Sequence, residues 1–198
     1  ELVLSTPNTY ASYGVFITTS DATGGCGPVS SAGDLNGDGF GDLVIGCPSA
    51  TRRGMNCGVA YVVFGNSSVY HDGVSLVDMP SSAGFTIVGG YDGGMLGGFV
   101  TGGVDVNSDG LPDVIIGEIN ARWYNRTSSG AVHVLYGSVN TSELSNVDLG
   151  VVLPASRGFS IIGKVNDFLG SSVSVTSDVG ISVGVSVGVS VGSGGAKP

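Results

Sequence analysis

Two nine-residue stretches, 34–42 (DLNGDGFGD) and 105–113 (DVNSDGLPD), fit one pattern, D-x-N-x-D-G-x-x-D, and begin 71 positions apart. Each sets oxygen-bearing side chains at positions 1, 3, 5 and 9 and a glycine at position 6. A hard cation such as Ca²⁺ takes six to eight oxygens, and this spacing brings them to one centre while the glycine permits a sharp turn. Asp34, Asn36, Asp38 and Asp42 are the expected side-chain ligands of the first loop, with the Phe40 carbonyl at position 7. Asp105, Asn107, Asp109 and Asp113 do the same in the second, with the Leu111 carbonyl. Asp/Asn/Gly clusters are also ordinary turn formers. Two copies in register favour the cation.

The residues after each loop decide the scaffold. An EF-hand carries a bidentate Glu at position 12 and then a helix. Here position 12 is Ile45 and Ile116, inside the runs Leu43-Val44-Ile45-Gly46 and Val114-Ile115-Ile116-Gly117. Short β-branched runs stopped by glycine read as buried strands. The expectation is a cation loop within a β-hairpin.

The loops are landmarks of a longer period. GFTIVG at 84–89 returns as GFSIIG at 158–163, and GVAYVVFG at 58–65 returns as GAVHVLYG at 130–137. The period is about 72 residues, a size that indicates one supersecondary unit per repeat, stacked on its neighbours. Strands are expected at about 84–90, 98–104, 112–117 and 130–136, taken together as the four strands of the second unit. A four-stranded antiparallel sheet repeated about an axis is a propeller blade, so the fold class is all-β. The expected division is blade 1 at 1–83, blade 2 at 84–157, a partial third repeat at 158–179 and a low-complexity Val/Gly/Ser tail at 180–198. In the third repeat Asp178 aligns with the first ligand, but Gly180 and Ser182 replace the next two. The tail's alternating valines could form a strand, yet their small polar partners favour disorder. At this period 198 residues make under three blades, whereas propellers use about four to eight, so the chain is expected not to close a ring alone. A fragment of a longer propeller is favoured over an assembling protomer or an open array.

These residues together resemble the FG-GAP repeat, the blade of the integrin α-subunit N-terminal propeller. Gly46-Cys47-Pro48 is similar to its GAP element, from which Gly117-Glu118-Ile119 departs. Leu96-Gly97 and Leu169-Gly170 stand for its FG element. The resemblance covers about residues 13–178. It implies an extracellular, calcium-stabilised, non-enzymatic module for adhesion or protein recognition, with calcium loops on the lower face and partner loops opposite, such as 47–57 and 118–129. Similar repeats occur in glycosylphosphatidylinositol-specific phospholipase D, so accessory blades of a secreted hydrolase are the alternative.

Other residues bound the function. The net charge is −9, and six of the 13 aspartates lie in the two loops. Seven Lys and Arg form no basic stripe, which argues against a nucleic-acid partner. No run of eighteen apolar residues reads as a membrane span, and the first residues do not read as a signal peptide. Arg122, Trp123 and Tyr124 are the most interface-like side chains, since aromatics and Arg dominate hot spots. The partner is expected to be an extracellular protein or further blades. Asn66, Asn125 and Asn140 are glycosylation sequons. Cys47 and Cys57 bracket one loop; a disulfide closing it, worth roughly 2–3 kcal/mol, stands beside two free thiols. Cys26 is left over, as a buried small side chain or with a partner outside the chain. Neither histidine suggests catalysis: His71 beside Asp72 reads as a solvated loop and His133 as a packed strand residue.

Overall fold

The computed structural model describes residues 17–19, 25–66, 73–123, 127–177 and 183–187. Those residues form strands and turns without a helix, so none contains a helix long and apolar enough to cross a membrane. The strands are β1 (Ile17–Thr18), β2 (Val29–Gly33), β3 (Asp42–Cys47), β4 (Val59–Val63), β5 (Val74–Ser75), β6 (Gly84–Val88) and β7 (Leu96–Val104). They continue with β8 (Asp113–Glu118), β9 (Ala131–Leu135), β10 (Val147–Asp148), β11 (Gly158–Ile162), β12 (Val173–Ser177) and β13 (Val183–Val187).

Two blades result, in an incomplete ring. The first sheet runs β10-β6-β4-β3-β2 and the second β11-β9-β8-β7. Within each, β2–β3–β4–β6 and β7–β8–β9–β11 are antiparallel meanders. The strands match their expected positions, but sheet membership does not. β6 pairs with β4, with Tyr61 opposite Thr86, and so closes the first sheet rather than opening the second. The equivalent outer strand of the second sheet is β11, with His133 opposite Ser160. Hydrogen bonding thus places the break between sheets at residues 89–95, one strand later than the repeat boundary at 83–84. The chain is back beside β4 at β6, while the glycine-rich 89–95 stretch crosses between sheets.

Short parallel pairings lace consecutive units together. Val147 of β10 sits opposite Ile87 of β6, and Val74 of β5 sits opposite Ile17 of β1. β1 therefore stands to blade 1 as β6 stands to blade 2, as the outer strand of a preceding unit. At the other end β12 pairs antiparallel with β13, so valines of the tail form a strand where disorder was expected. Backbone pairing with β12 supplies the partner that the tail's small side chains do not. Asp178, Gly180 and Ser182 lie outside the described residues.

The core lies between the sheets. Val44, Val62, Phe85 and Ile87 of blade 1 meet Leu96, Val114, Ile116 and Leu135 of blade 2, joined by Leu144, Val147 and Leu149. Blade 1's other face packs around Tyr61, Val63, Val74 and Leu76, and blade 2's other face reaches Leu169 and Val173. The strict glycines have a packing cause. A side chain on Gly46 would collide with the Gly97 carbonyl, and one on Gly117 would collide with that of Gly170. Gly97 and Gly170 also hold positive φ, 83° and 88°, where L side chains are strained. The matching glycines of the GAP-like and FG-like elements are where neighbouring blades touch backbone to backbone.

Candidate metal loops and neighbouring sites

Loop 34–42 bridges β2 and β3, and loop 105–113 bridges β7 and β8, each inside the hairpin at one edge of its sheet. Their hydrogen bonds match one for one. Asp34 accepts from the N–H of Asp38 and Gly39, both 2.9 Å, and Asp105 from those of Asp109 and Gly110, 3.1 and 2.8 Å. Asp38 accepts from the N–H of Phe40 at 2.8 Å, and Asp109 from that of Leu111 at 2.9 Å. Asn36 Nδ2 donates to Asp38 at 2.9 Å, and Asn107 Nδ2 to Asp109 at 2.8 Å. The position-9 carboxylates are buried. Asp42 takes N–H bonds from Leu35 and Gly65, both 2.8 Å; Asp113 takes them from Val106 and Gly137, 2.7 and 3.0 Å.

The electrostatics repeat as well. Burial pushes the Asp42 carboxyl up to about 6; the Gly65 and Leu35 N–H groups oppose this, while Asp38 and Asp34 add repulsion. Asp113 is raised by the same burial, opposed by Gly137 and Val106, with Asp109 and Asp105 repelling. Among the described residues no Lys or Arg pairs with any loop carboxylate.

The donor set fits a hard divalent cation. Each loop offers three carboxylates, one amide oxygen and a peptide carbonyl, with no sulfur or imidazole, which suits Ca²⁺ rather than zinc. In the conformation seen, the carboxylates face the loop's own N–H groups. No three His, Cys, Asp or Glu side chains among the described residues converge as a ready-made metal centre. A cation would have to open the contact between Asn36 and Asp38, and its counterpart in the second loop.

The surroundings of the two loops differ. Asn36 is 9% exposed, while Asn107 is open to solvent. Loop 1 forms one wall of a cleft of about 890 Å³, whose other walls include Phe64, Phe85, Thr141 and Ser142.

The disulfide departs from expectation. It joins Cys26 to Cys47, while Cys57 is free and buried. The stretch before β2 runs beside the end of β3, with Gly27 N donating to Gly46 O at 3.0 Å and Gly46 N to Pro28 O at 2.8 Å. That pairing brings Cys26 against Cys47. Cys57 instead turns inside its loop, donating to Ala50 O at 3.6 Å and accepting from Arg53 N at 3.4 Å. A Cys47–Cys57 bridge is therefore excluded.

Blade 2 holds a polar row that sequence reading missed. Glu118 Oε2 lies 3.1 Å from His133 Nε2, and His133 Nδ1 lies 2.8 Å from Ser160 Oγ. Glu118 and His133 are fully buried, and Glu118 Oε1 has no hydrogen-bond partner. The order Ser-His-Glu invites comparison with a hydrolytic triad, but the enclosed imidazole gives a substrate no approach. One signal was available: Glu118 takes the place of a GAP-element residue in the same repeat where His133 replaces Tyr61.

The interface residues are only partly described. Trp123 is half-buried, with its ring edge-to-face on Tyr91 at 5.7 Å, and Arg122 is exposed. Tyr124 and the Asn125 sequon lie outside the described residues, as do His71 and Asp72. Asn66 and Asn140 are exposed, and Asn140 Oδ1 accepts from Ser142 Oγ at 2.7 Å. The arginine pair of the 47–57 loop is engaged. Arg53 pairs with Asp148, while Arg52 bonds Val77 O at 2.9 Å and lies 5.9 Å from the Tyr61 ring centre.

Comparison with known proteins agrees with this architecture. The FG-GAP repeat profile matches residues 27–70 and 96–135, which span the two loops and most of the inner strands. Mouse phosphatidylinositol-glycan-specific phospholipase D is 34% identical over 113 residues, covering 57% of this chain. Integrin alpha pat-2 of Caenorhabditis elegans is 29% identical over 150 residues, covering 70%. The aligned segments are 13% and 12% of the length of those relatives.

Proposed function

Because this chain carries FG-GAP repeats, we propose that it is a calcium-binding recognition module, working outside the cell and without catalysis of its own. The observation that carries the reading is the bond-for-bond repetition of two oxygen-only loops whose carboxylates meet no Lys or Arg among the described residues. Asp34, Asn36, Asp38, Asp42 and the Phe40 carbonyl would hold one ion. Asp105, Asn107, Asp109, Asp113 and the Leu111 carbonyl would hold the other. The ion's part is charge neutralisation: it cancels the repulsion gathered around buried Asp42 and Asp113 and so fixes the inner hairpins. A Cys26–Cys47 bridge suits an oxidising compartment, and the exposed Asn66 and Asn140 sequons suit glycosylation there. Arg122, Trp123 and Tyr124 form the proposed contact for an extracellular protein.

A binding screen of the whole chain against immobilised matrix proteins, with Ca²⁺ and with EDTA, tests this. Saturable binding lost in EDTA and weakened by Arg122→Ala supports the reading. Binding indifferent to both overturns the proposed contact.

The second reading, accessory blades of a secreted hydrolase, rests on 34% identity to a segment of a phospholipase D. Hydrolysis of a phosphodiester by this chain alone would favour an enzyme over a recognition module.

A further inference from the structure

Resting on the calcium reading, we infer that the two cation loops are coupled, and that Gly137, Ser138 and Val139 carry the coupling as positioning residues. The segment follows β9 and serves both loops at once. Gly137 N donates to Asp113 Oδ1 at 3.0 Å, so the last ligand of loop 2 holds the segment's start. The next residue, Ser138, donates its N–H to Leu35 O at 2.9 Å, inside loop 1. Leu35 N in turn donates to Asp42, the last ligand of loop 1, at 2.8 Å. An unbroken chain of hydrogen bonds and peptide units thus links the two buried carboxylates.

Packing runs the same way. A Cβ on Gly37 would lie 2.8 Å from Val139 Cγ1 and 3.3 Å from Leu111 Cδ2, so both side chains, Val139 with 72% of its surface exposed, lie beside the outer turn of loop 1. Leu111 supplies the position-7 carbonyl of loop 2. Pro112, its neighbour, sits against Gly33 at the entry to loop 1, where an added Cβ would approach Pro112 Cγ to 2.7 Å. One wall of loop 1 is therefore made of loop 2 and the segment that loop 2 anchors.

The energetic consequence follows from this shared wall. A cation that fixes Leu111 and Asp113 also fixes the cover of loop 1, so less ordering is left for the next ion to impose. Coupling of binding free energies is reciprocal: each site must raise the affinity of the other by the same factor. A typical coupling corresponds to at least about fivefold.

Calcium titration calorimetry on the full chain tests this with three proteins: wild type, Asp34→Ala/Asp38→Ala, and Asp105→Ala/Asp109→Ala. The expected result is that each variant's surviving loop binds about fivefold more weakly than the same loop does in wild type with the other loop already filled, with equal factors in both directions. Val139→Gly, which touches no ligand, should reduce the factor, and Val139→Ile should preserve it. Where a double variant fails to fold, the wild-type saturation curve decides: a Hill slope above 1 supports coupling, and two independent sites refute it. Surviving affinities within twofold of the wild-type value with the other loop filled overturn the coupling and leave the calcium reading standing. A wild-type chain that takes up no calcium overturns both.

Discussion

Blade 1 and blade 2 carry aspartate-rich loops with the same hydrogen bonds, yet the strands leaving those loops are tied down by unlike chemistry. At the end of β3 blade 1 has Cys47, bonded to Cys26; at the end of β8 blade 2 has Glu118, paired with His133. Across the sheet, Tyr61 and Thr86 of blade 1 correspond to His133 and Ser160 of blade 2. The loops repeat because their aspartates cap the same backbone N–H groups, and the touching glycines because a backbone-to-backbone approach leaves no room for a side chain. The row at the strand end needs only some cross-strand tie. A covalent bridge serves in one blade and a buried polar pair in the other.

The largest effect should come from breaking the blade 2 tie. Glu118→Ala opens a cavity and leaves buried His133 Nε2 without its hydrogen-bond partner, and should cost about 3–5 kcal/mol in denaturant unfolding. Replacing both members by apolar groups, Glu118→Leu with His133→Tyr, should recover most of that loss, since a buried pair is often no better than packed hydrophobic residues. Failure of the double variant to recover would show that the pair is a net stabiliser.

The blade 1 tie should rank next. Cys26→Ser with Cys47→Ser opens a loop of 21 residues' separation and should cost about 3 kcal/mol by the same measurement. A loss confined to one cleanly resolved transition would mean that the blades unfold together; two transitions would mean that each tie guards only its own sheet.

A smaller effect should appear with pH in the cation-free protein. Burial raises Asp42 above its unfolded value, so the protonated group stabilises the fold below about pH 4. That contribution is lost as pH rises through about 6. In EDTA the Asp42→Asn variant should therefore lack part of the decline that wild type shows between pH 4 and 7. An identical decline in both would remove Asp42 from the explanation. The smallest change is expected at Arg53→Ala, because its ion pair with Asp148 is half-exposed; about 1 kcal/mol or less should be lost.

Much of this architecture was legible before any coordinates. The nine-residue spacing announced the loops, and runs such as Val114-Ile115-Ile116 announced strands, because ligand geometry and burial leave local marks. Sheet membership was not legible at β6, since a repeat boundary in sequence does not say which neighbour supplies hydrogen bonds. Cys26 was left over because Cys47 and Cys57 bracket one loop, and cysteine spacing does not reveal which strands run side by side. His133 was read alone, and its partner Glu118 became visible only when β8 and β9 were aligned in register.

Calcium uptake measured together with thermal unfolding is the most direct test of the central claim that cations stabilise both inner hairpins. Two ions per chain should bind, and at a free concentration ten times Kd each should add about 1.4 kcal/mol, raising the melting temperature relative to EDTA. A melt unchanged by EDTA, with no ion retained on equilibrium dialysis, would contradict it.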